Sequence, residues 1–571
     1  VILFVLALGP GALLTFLVWH WCVNVPAWDE WGVAELFVRS HTHTLTFAYL
    51  ISQHCESRKF FPRLIILALG LPTRWNVCYD MGVTLVLAWI VSWNVLCLAG
   101  RTLNGSAERR LWLWFLGNCL IFTLAAEENW LLGLQIVVYL PIVCITTALV
   151  IFQCHTNFAV KVAAGLALSI IATFSYANGM LAFLLLPPAL WLWSGTPRPS
   201  LRAATLCGFA WAVGAIGSVG LFFRNYHPSE AAVLVNPLEA PKLLLQFFMA
   251  FLGSPLKSGR EQEHIPLVVA VGAVLLLMLA TVVLRTYLRR RDGDLLRRSM
   301  PWLVLAAYSA CSAAITSLGR AGTGLNSSLA SRYCAFSVFL IVALIYLIPL
   351  HGDDSRRMNP GWRRSKQVIL ALLSIALLAL QTETDIAGAR DMHDRARARL
   401  GGKAALELFP ICHNASGLSL LYPSSGKIET IAPLLDQWGY LSPPLIHDPD
   451  VRKLVRPTNS PMGSFDYISA APDGKYFCTG WGWLASRREQ ADCIFVTADG
   501  PSASLRILSL TTEHSERPDA VRWLRQPNAG KLGWMCQVDP ASIPTGTQTL
   551  SAWAFDAERQ EAYYLGTKPI P

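Results

Sequence analysis

The stretch 371–400, ALLSIALLALQTETDIAGARDMHDRARARL, changes character part-way along. Its first ten residues carry one polar side chain, Ser374, whereas from Glu383 onward eight of the seventeen residues to Arg399 are charged. An apolar run that becomes a charged helix without an intervening Pro predicts a last membrane-spanning helix followed by a linker helix over 382–410. Working outward, everything before this stretch is a succession of apolar runs. Everything after about 411 is short alternating runs such as KYFCTGWGWLA and TLSAWAFDA. The fold class predicted is a polytopic α-helical membrane domain over 1–381, followed by an extracytoplasmic all-β sandwich over 411–571.

Composition agrees. Of 571 residues, 53% are hydrophobic and 15% charged, with 21 Trp; soluble domains carry about 25% charged residues. The net charge of +10 does not imply a nucleic-acid partner, because the basic residues sit in short loops between apolar runs, where they orient a membrane protein. Spans of about 20 residues are predicted at eleven places, about 1–21, 79–100, 111–126, 131–152, 160–176, 179–194, 203–223, 266–285, 300–318, 334–350 and 367–381. The first lacks a basic n-region and a small-residue cleavage site and reads as a retained helix. Alternate loops differ in Lys/Arg density, with RTYLRRRDGDLLRR (285–298) the strongest single vote. That places the N-terminus in the cytoplasm, and the loop after the first span and the C-terminal domain outside. Segments within 22–78 and 238–252 are too polar to span and read as helices lying in the interface.

The C-terminal part contains Asp473-Gly474 and Asp499-Gly500, dipeptides that favour hairpins. Trp481, Trp483, Trp534 and Trp553 there could form a sugar-stacking face, although burial in the sandwich core is the simpler reading. Fourteen Cys show no zinc spacing; in an exported domain Cys478–Cys493 is the favoured disulfide.

Candidate chemistry gathers at one membrane face. In NVPAWDEWGVAELF (24–37), Asp29 and Glu30 stand between two tryptophans just after the first span. The same side carries His54, Glu56, Arg58 and Arg63, then Glu127, Glu128, Asn129 and Trp130 in AAEENWLLGLQ, Asn178 in FSYANGM, and Arg320, Arg332 and Tyr333 in SLGRAGTGLNSSLASRYC. Ionisable groups at membrane depth are costly and tend to line a wet cavity in pairs. Carboxylates beside arginines at a bilayer boundary suit glycosyl transfer from a polyprenyl-phosphate sugar. A carboxylate takes the proton of the acceptor hydroxyl, and guanidinium forks hold the departing phosphate. A monophosphate leaving group needs no metal, so no cofactor is expected. A divalent metal on His41, His43, His54, Asp29 and Glu56 is the disfavoured alternative, since H-x-H spacing on a helix splays the rings roughly 200° apart.

These features together resemble the GT-C class of membrane glycosyltransferases, which includes arabinosyl-, mannosyl- and aminoarabinose transferases. The resemblance rests on the multi-spanning body, the acidic first outward loop AWDEW, the two interfacial helices after it and the outward β-domain. QHCESRKFFPRL, EENWLLGLQ, YANG and GRAGTG…SRY look like stretches of bacterial membrane proteins of this class. The resemblance implies Asp29 as catalytic base, with Glu30 as its substitute, a polyprenyl-phosphate sugar donor, a glycan or lipid acceptor, and residence in a bacterial inner membrane. Two rival readings are a transporter or flippase of lipid-linked sugars and a non-catalytic membrane subunit whose β-domain binds a partner. Transporters tend to show internal repeats, and no second copy of WDEW or of the Arg loop is found.

Overall fold

The computed structural model describes residues 1–194, 199–228, 233–257, 265–352, 360–457, 462–472, 474–499, 505–526 and 530–571. Contacts divide the chain into two units. The first comprises Val1–Cys22, Leu45–Ala68 and Cys78–His393; the second comprises Val23–Thr44, Leu69–Val77 and Asp394–Pro571. The division falls elsewhere than the sequence boundaries at 381 and 411, and it assigns the WDEW segment to the C-terminal unit.

The first unit is a helical bundle. Among the described residues, nine helices are long and apolar enough to cross a membrane, which makes the chain a multi-pass membrane protein. Eleven spans were expected, and all eleven segments are helical, but two fall short. Phe158–Thr173 has 16 residues, about 24 Å at 1.5 Å per residue, less than a hydrocarbon core of about 30 Å. Its partner, Ala177–Leu192, is equally short. The last predicted span and the predicted linker form one uninterrupted 48-residue helix, Pro360–Glu407, because no Pro or Gly pair breaks it where the polarity changes. Segment 238–252 is the helix Pro241–Gly253. Segment 22–78 holds three helices of four to seven residues, a hairpin and the helix Phe60–Thr73.

Several polar side chains inside the bundle pair with one another or with backbone, as an interior without water favours. Asn118 donates to the carbonyl of Ala7 at 2.7 Å and accepts from Ser92 Oγ at 2.6 Å, linking three helices. Asn94 donates to Thr146 and Thr147. Trp302 stacks on Tyr346 with ring centroids 4.0 Å apart. Helices Pro241–Gly253 and Ile265–Leu288 cross on glycine. A Cβ on Gly253 would lie 2.1 Å from the Val268 carbonyl oxygen, and one on Gly272 would lie 1.9 Å from that of Met249. Small residues permit this approach, as in membrane helix pairs generally.

The second unit is built on a β-sandwich. Strands β3 (Gly463–Ala470), β4 (Tyr476–Leu484), β5 (Glu489–Gln490), β6 (Cys493–Asp499), β7 (Leu505–Thr511), β8 (His514–Ser515), β9 (Gly533–Val538), β10 (Thr549–Asp556) and β11 (Glu561–Pro569) form two sheets. One has the order β11-β10-β6-β7; the other has the order β3-β4-β9-β8, with β5 paired to β4. Phe465, Trp483, Trp534, Ile494, Ala552 and Leu565 from both sheets share one core. Trp481, Trp483, Trp534 and Trp553 are all buried, so they are core and present no sugar-stacking face. The unit is not all-β: helices Ser425–Gln437 and Pro518–Leu524 belong to it. Asp473 and Gly500 lie outside the described residues, although β3/β4 and β6/β7 are antiparallel neighbours as the two dipeptides implied. The Cys478–Cys493 disulfide is corrected: both thiols are free, and Cys478 stands opposite Cys536 in the β4/β9 register.

Candidate functional site

In the first unit a hairpin missed in the sequence organises the site. Strands β1 (Gln53–His54) and β2 (Ser57–Arg58) pair antiparallel with Cys55 and Glu56 at the turn. Two-residue turns require positive φ, and Cys55 adopts 52°. The half-buried His54 belongs to this hairpin. Arg58 does not face a ligand: its guanidinium donates to the carbonyls of Phe222 (2.7 Å), Ile51 (2.9 Å) and Arg224. Arg63 likewise donates to the carbonyls of Tyr49, Leu50 and Ser52 at 2.8–2.9 Å. Both arginines, expected as substrate ligands, are hydrogen-bonded to loop backbone.

Glu56, at the turn, meets Arg320 in an ion pair. A second pair joins Glu128 to Arg332, Nη1 to Oε1 at 3.3 Å, with Gln135 Nε2 also donating to Glu128. Asn129 Nδ2 donates to the Arg332 carbonyl at 3.2 Å, which ties the EENW turn to the SRY turn. The Arg332 guanidinium lies over the Tyr333 ring, 5.2 Å from its centroid, and Tyr333 packs on Phe251. Tyr176 lies within electrostatic range of Tyr333, Arg332, Glu56 and Arg320, so members of both pairs neighbour one half-buried tyrosine. Glu127, Trp130 and Asn178 are buried. Trp130 is committed to the core through Nε1 on the Thr123 carbonyl at 2.8 Å.

Of the residues expected at one membrane face, Glu56 thus meets Arg320, and Glu128 meets Arg332 beside Tyr333; Tyr176 and Lys257 were not among those nominated. Tyr176 sits in the quoted FSYANGM beside Asn178, and its aromatic ring on a polar turn was the available signal. Lys257 is buried and donates to the Leu329 carbonyl at 2.7 Å, fixing the loop between the two arginines.

Asp29 and Glu30 belong to the second unit, where their roles separate. Glu30 is 3% exposed, and its Oε2 accepts from Ala27 N–H at 2.7 Å. A carboxylate reaching back three residues in this way steadies a helix start. Asp29 precedes the helix Glu30–Val33 yet makes no side-chain cap bond, and it is exposed. Immediately before it, Trp28 takes φ 52°, a left-handed conformation costing roughly 1–2 kcal/mol for a bulky L-residue. The Trp28 N–H is held on the Leu421 carbonyl. His41 stacks on Trp438 with centroids 4.2 Å apart.

No family model, curated protein or solved structure matches the chain. The chemistry of each unit is therefore read from its own residues: in the first, two forked cations held by carboxylates beside two tyrosines; in the second, an exposed aspartate after a strained tryptophan.

Proposed function

We propose that the protein is an integral-membrane glycosyltransferase of GT-C type that moves a sugar from a polyprenyl-phosphate donor to a glycan or lipid acceptor. In this reading the acceptor oxygen attacks the anomeric carbon and its proton passes to a carboxylate base, the role that the resemblance implies for Asp29. The bond from that carbon to the phosphate oxygen breaks, with its electron pair leaving on the phosphate, which Arg320 and Arg332 receive. Direct displacement inverts the anomeric centre. Glu56 and Glu128 keep the forks oriented until the phosphate competes for them. The reaction is assigned to the outer face of a bacterial inner membrane, with the N-terminus cytoplasmic and the C-terminal unit outside.

The observation that carries the proposal is the pairing of Arg320 and Arg332 with separate carboxylates around Tyr176. Guanidinium groups remain charged at all physiological pH values and match phosphate oxygens in geometry. Support for Asp29 is its exposure, its freedom from capping and the strain at Trp28. The test is transfer in membranes from a panel of polyprenyl-phosphate sugars. Asp29→Asn is expected to abolish transfer while Glu30→Gln retains part of it, with thermal stability of Asp29→Asn near that of the parent. A fully active Asp29→Asn protein would remove that residue from the mechanism.

A further inference from the structure

The second unit carries a cavity of about 810 Å³ walled by one face of the long helix, by His514 of β8 and by the segment at Gly530–Lys531. Asp394, Arg397, Ala398 and Gly401 line it at spacings of three and four, as one helical face requires. Its volume falls within the range of small-molecule sites, about 300–1,000 Å³, well beyond what a bare ion fills.

Two groups in it have buried nitrogens that lack a hydrogen bond of normal geometry among the described residues. The Arg397 side chain is 16% exposed, and its Nε and Nη2 are buried without a hydrogen bond; the nearest carboxylate, Glu489, stands 4.0 Å from Nη2. A buried charged donor left unsatisfied is costly, and native structures rarely keep one without a reason. His514 is the second: both ring nitrogens are buried without a hydrogen bond of normal geometry. Burial lowers its pKa to about 4, against the backbone groups of Ala491 and Gly533 that face the ring and with the Arg397 charge acting in the same direction as burial, so at neutral pH the imidazole is uncharged, with one N–H and one bare nitrogen.

The other charges sort cleanly. Arg517 is engaged by Asp466 and Asp519, and Asp492 by Arg487 and the Ala557 N–H. Among the lining residues that leaves Arg397 with the exposed Arg522 and Lys531 against the exposed Asp394 and Glu516, and Glu489 beside Arg397 brings the two signs into balance. A Cβ on Gly530 would lie 2.3 Å from Arg397 Nη1, so the backbone approaches the guanidinium only because no side chain intervenes. Among the described lining residues there is no Phe, Tyr or Trp, hence no platform on which a nucleobase could stack. Polar groups such as Gln490 and Thr512 suit a hydroxylated body.

We propose that this cavity binds an acidic saccharide, a sugar-sized ligand whose carboxylate or phosphate sits on Arg397 and takes a hydrogen bond from His514. Such a site would serve whatever reaction the membrane body performs. The test is titration of the full chain in detergent with glucuronate, glucose 6-phosphate, inorganic phosphate and glucose, followed by calorimetry and by the unfolding midpoint, which rises when a ligand binds only the native state. Glucuronate or glucose 6-phosphate is expected to bind, and whichever is tighter tells carboxylate from phosphate; glucose is expected to be at least ten-fold weaker. Arg397→Gln is expected to weaken the acidic sugar by about ten-fold or more, the scale of one charge-assisted hydrogen bond. Lys531→Gln, at the exposed rim, is expected to weaken it by about two-fold and supplies a reading if Arg397→Gln does not fold. Binding of inorganic phosphate as tight as that of glucose 6-phosphate would overturn the saccharide assignment. Absence of binding, or affinity unchanged in both variants, would overturn the site.

Discussion

Arg332 and Glu128 give the most quantitative handle on the membrane site. At 3.3 Å and an effective dielectric of about 20, their bare attraction is about 5 kcal/mol. The net coupling must be smaller, because Arg332 is 39% and Glu128 18% exposed. Exposed pairs measure about 0.2–1 kcal/mol, and breaking a buried pair costs about 3–5 kcal/mol. A half-buried pair therefore predicts a coupling of about 1–2 kcal/mol. The perturbation is a cycle of Arg332→Gln, Glu128→Gln and the double variant, read by thermal unfolding in detergent. The double variant should be less destabilised than the sum of the singles by that coupling energy. Glu128→Gln should also free the fork, so polyprenyl phosphate should bind it more tightly than it binds the parent. Additive stabilities, or phosphate binding weakened equally by both single variants, would refute the view that the carboxylate holds the arginine in readiness.

Two further expectations follow from other parts of the molecule. Gly272→Ala places a methyl group where the Met249 carbonyl stands at 1.9 Å, so it should cost about 1–3 kcal/mol and lower the unfolding midpoint; an unchanged midpoint would deny the glycine crossing. His514 has its pKa lowered from 6.5 to about 4 by burial. The unfolded state therefore takes up a proton first as pH falls, so its contribution is full above pH 6.5 and is lost progressively down to about 4, up to about 3 kcal/mol. Asp492, raised to about 6 chiefly by burial, acts oppositely, because its native state keeps a proton that the unfolded chain has released between about pH 4 and 6. The His514 slope is thus to be isolated as the difference between the parent and His514→Gln, and a pH-independent difference would contradict it.

The apolar runs were legible because hydrocarbon thickness sets their length, and the sandwich was legible because alternation with turn residues has few other solutions. The two short helices were not told apart from the longer spans, since composition alone does not say whether 16 apolar residues reach across a bilayer. The hairpin at 53–58 escaped notice because QHCESR contains neither Asn nor Gly, and Cys55 carries the positive φ that such a residue would signal. The pairing of Glu56 with Arg320 joins positions 264 apart in the chain, a match that periodicity cannot disclose. Glu30 was more readable than it was read: its spacing of three from Ala27 is that of a carboxylate reaching back to a helix start. The cavity at Arg397 was hidden because RARARL reads as a solvated helix face until β8 and the Gly530 segment are laid against it.

The central claim is that Arg320 and Arg332 together receive a lipid phosphate, and its most direct test is the affinity of the purified chain for polyprenyl phosphate. Arg320→Gln and Arg332→Gln are each expected to weaken binding by about ten-fold or more, as loss of a charge-assisted contact implies, and the uncharged polyprenol should bind all three proteins alike. Parental affinity for the phosphate in both variants would contradict the account.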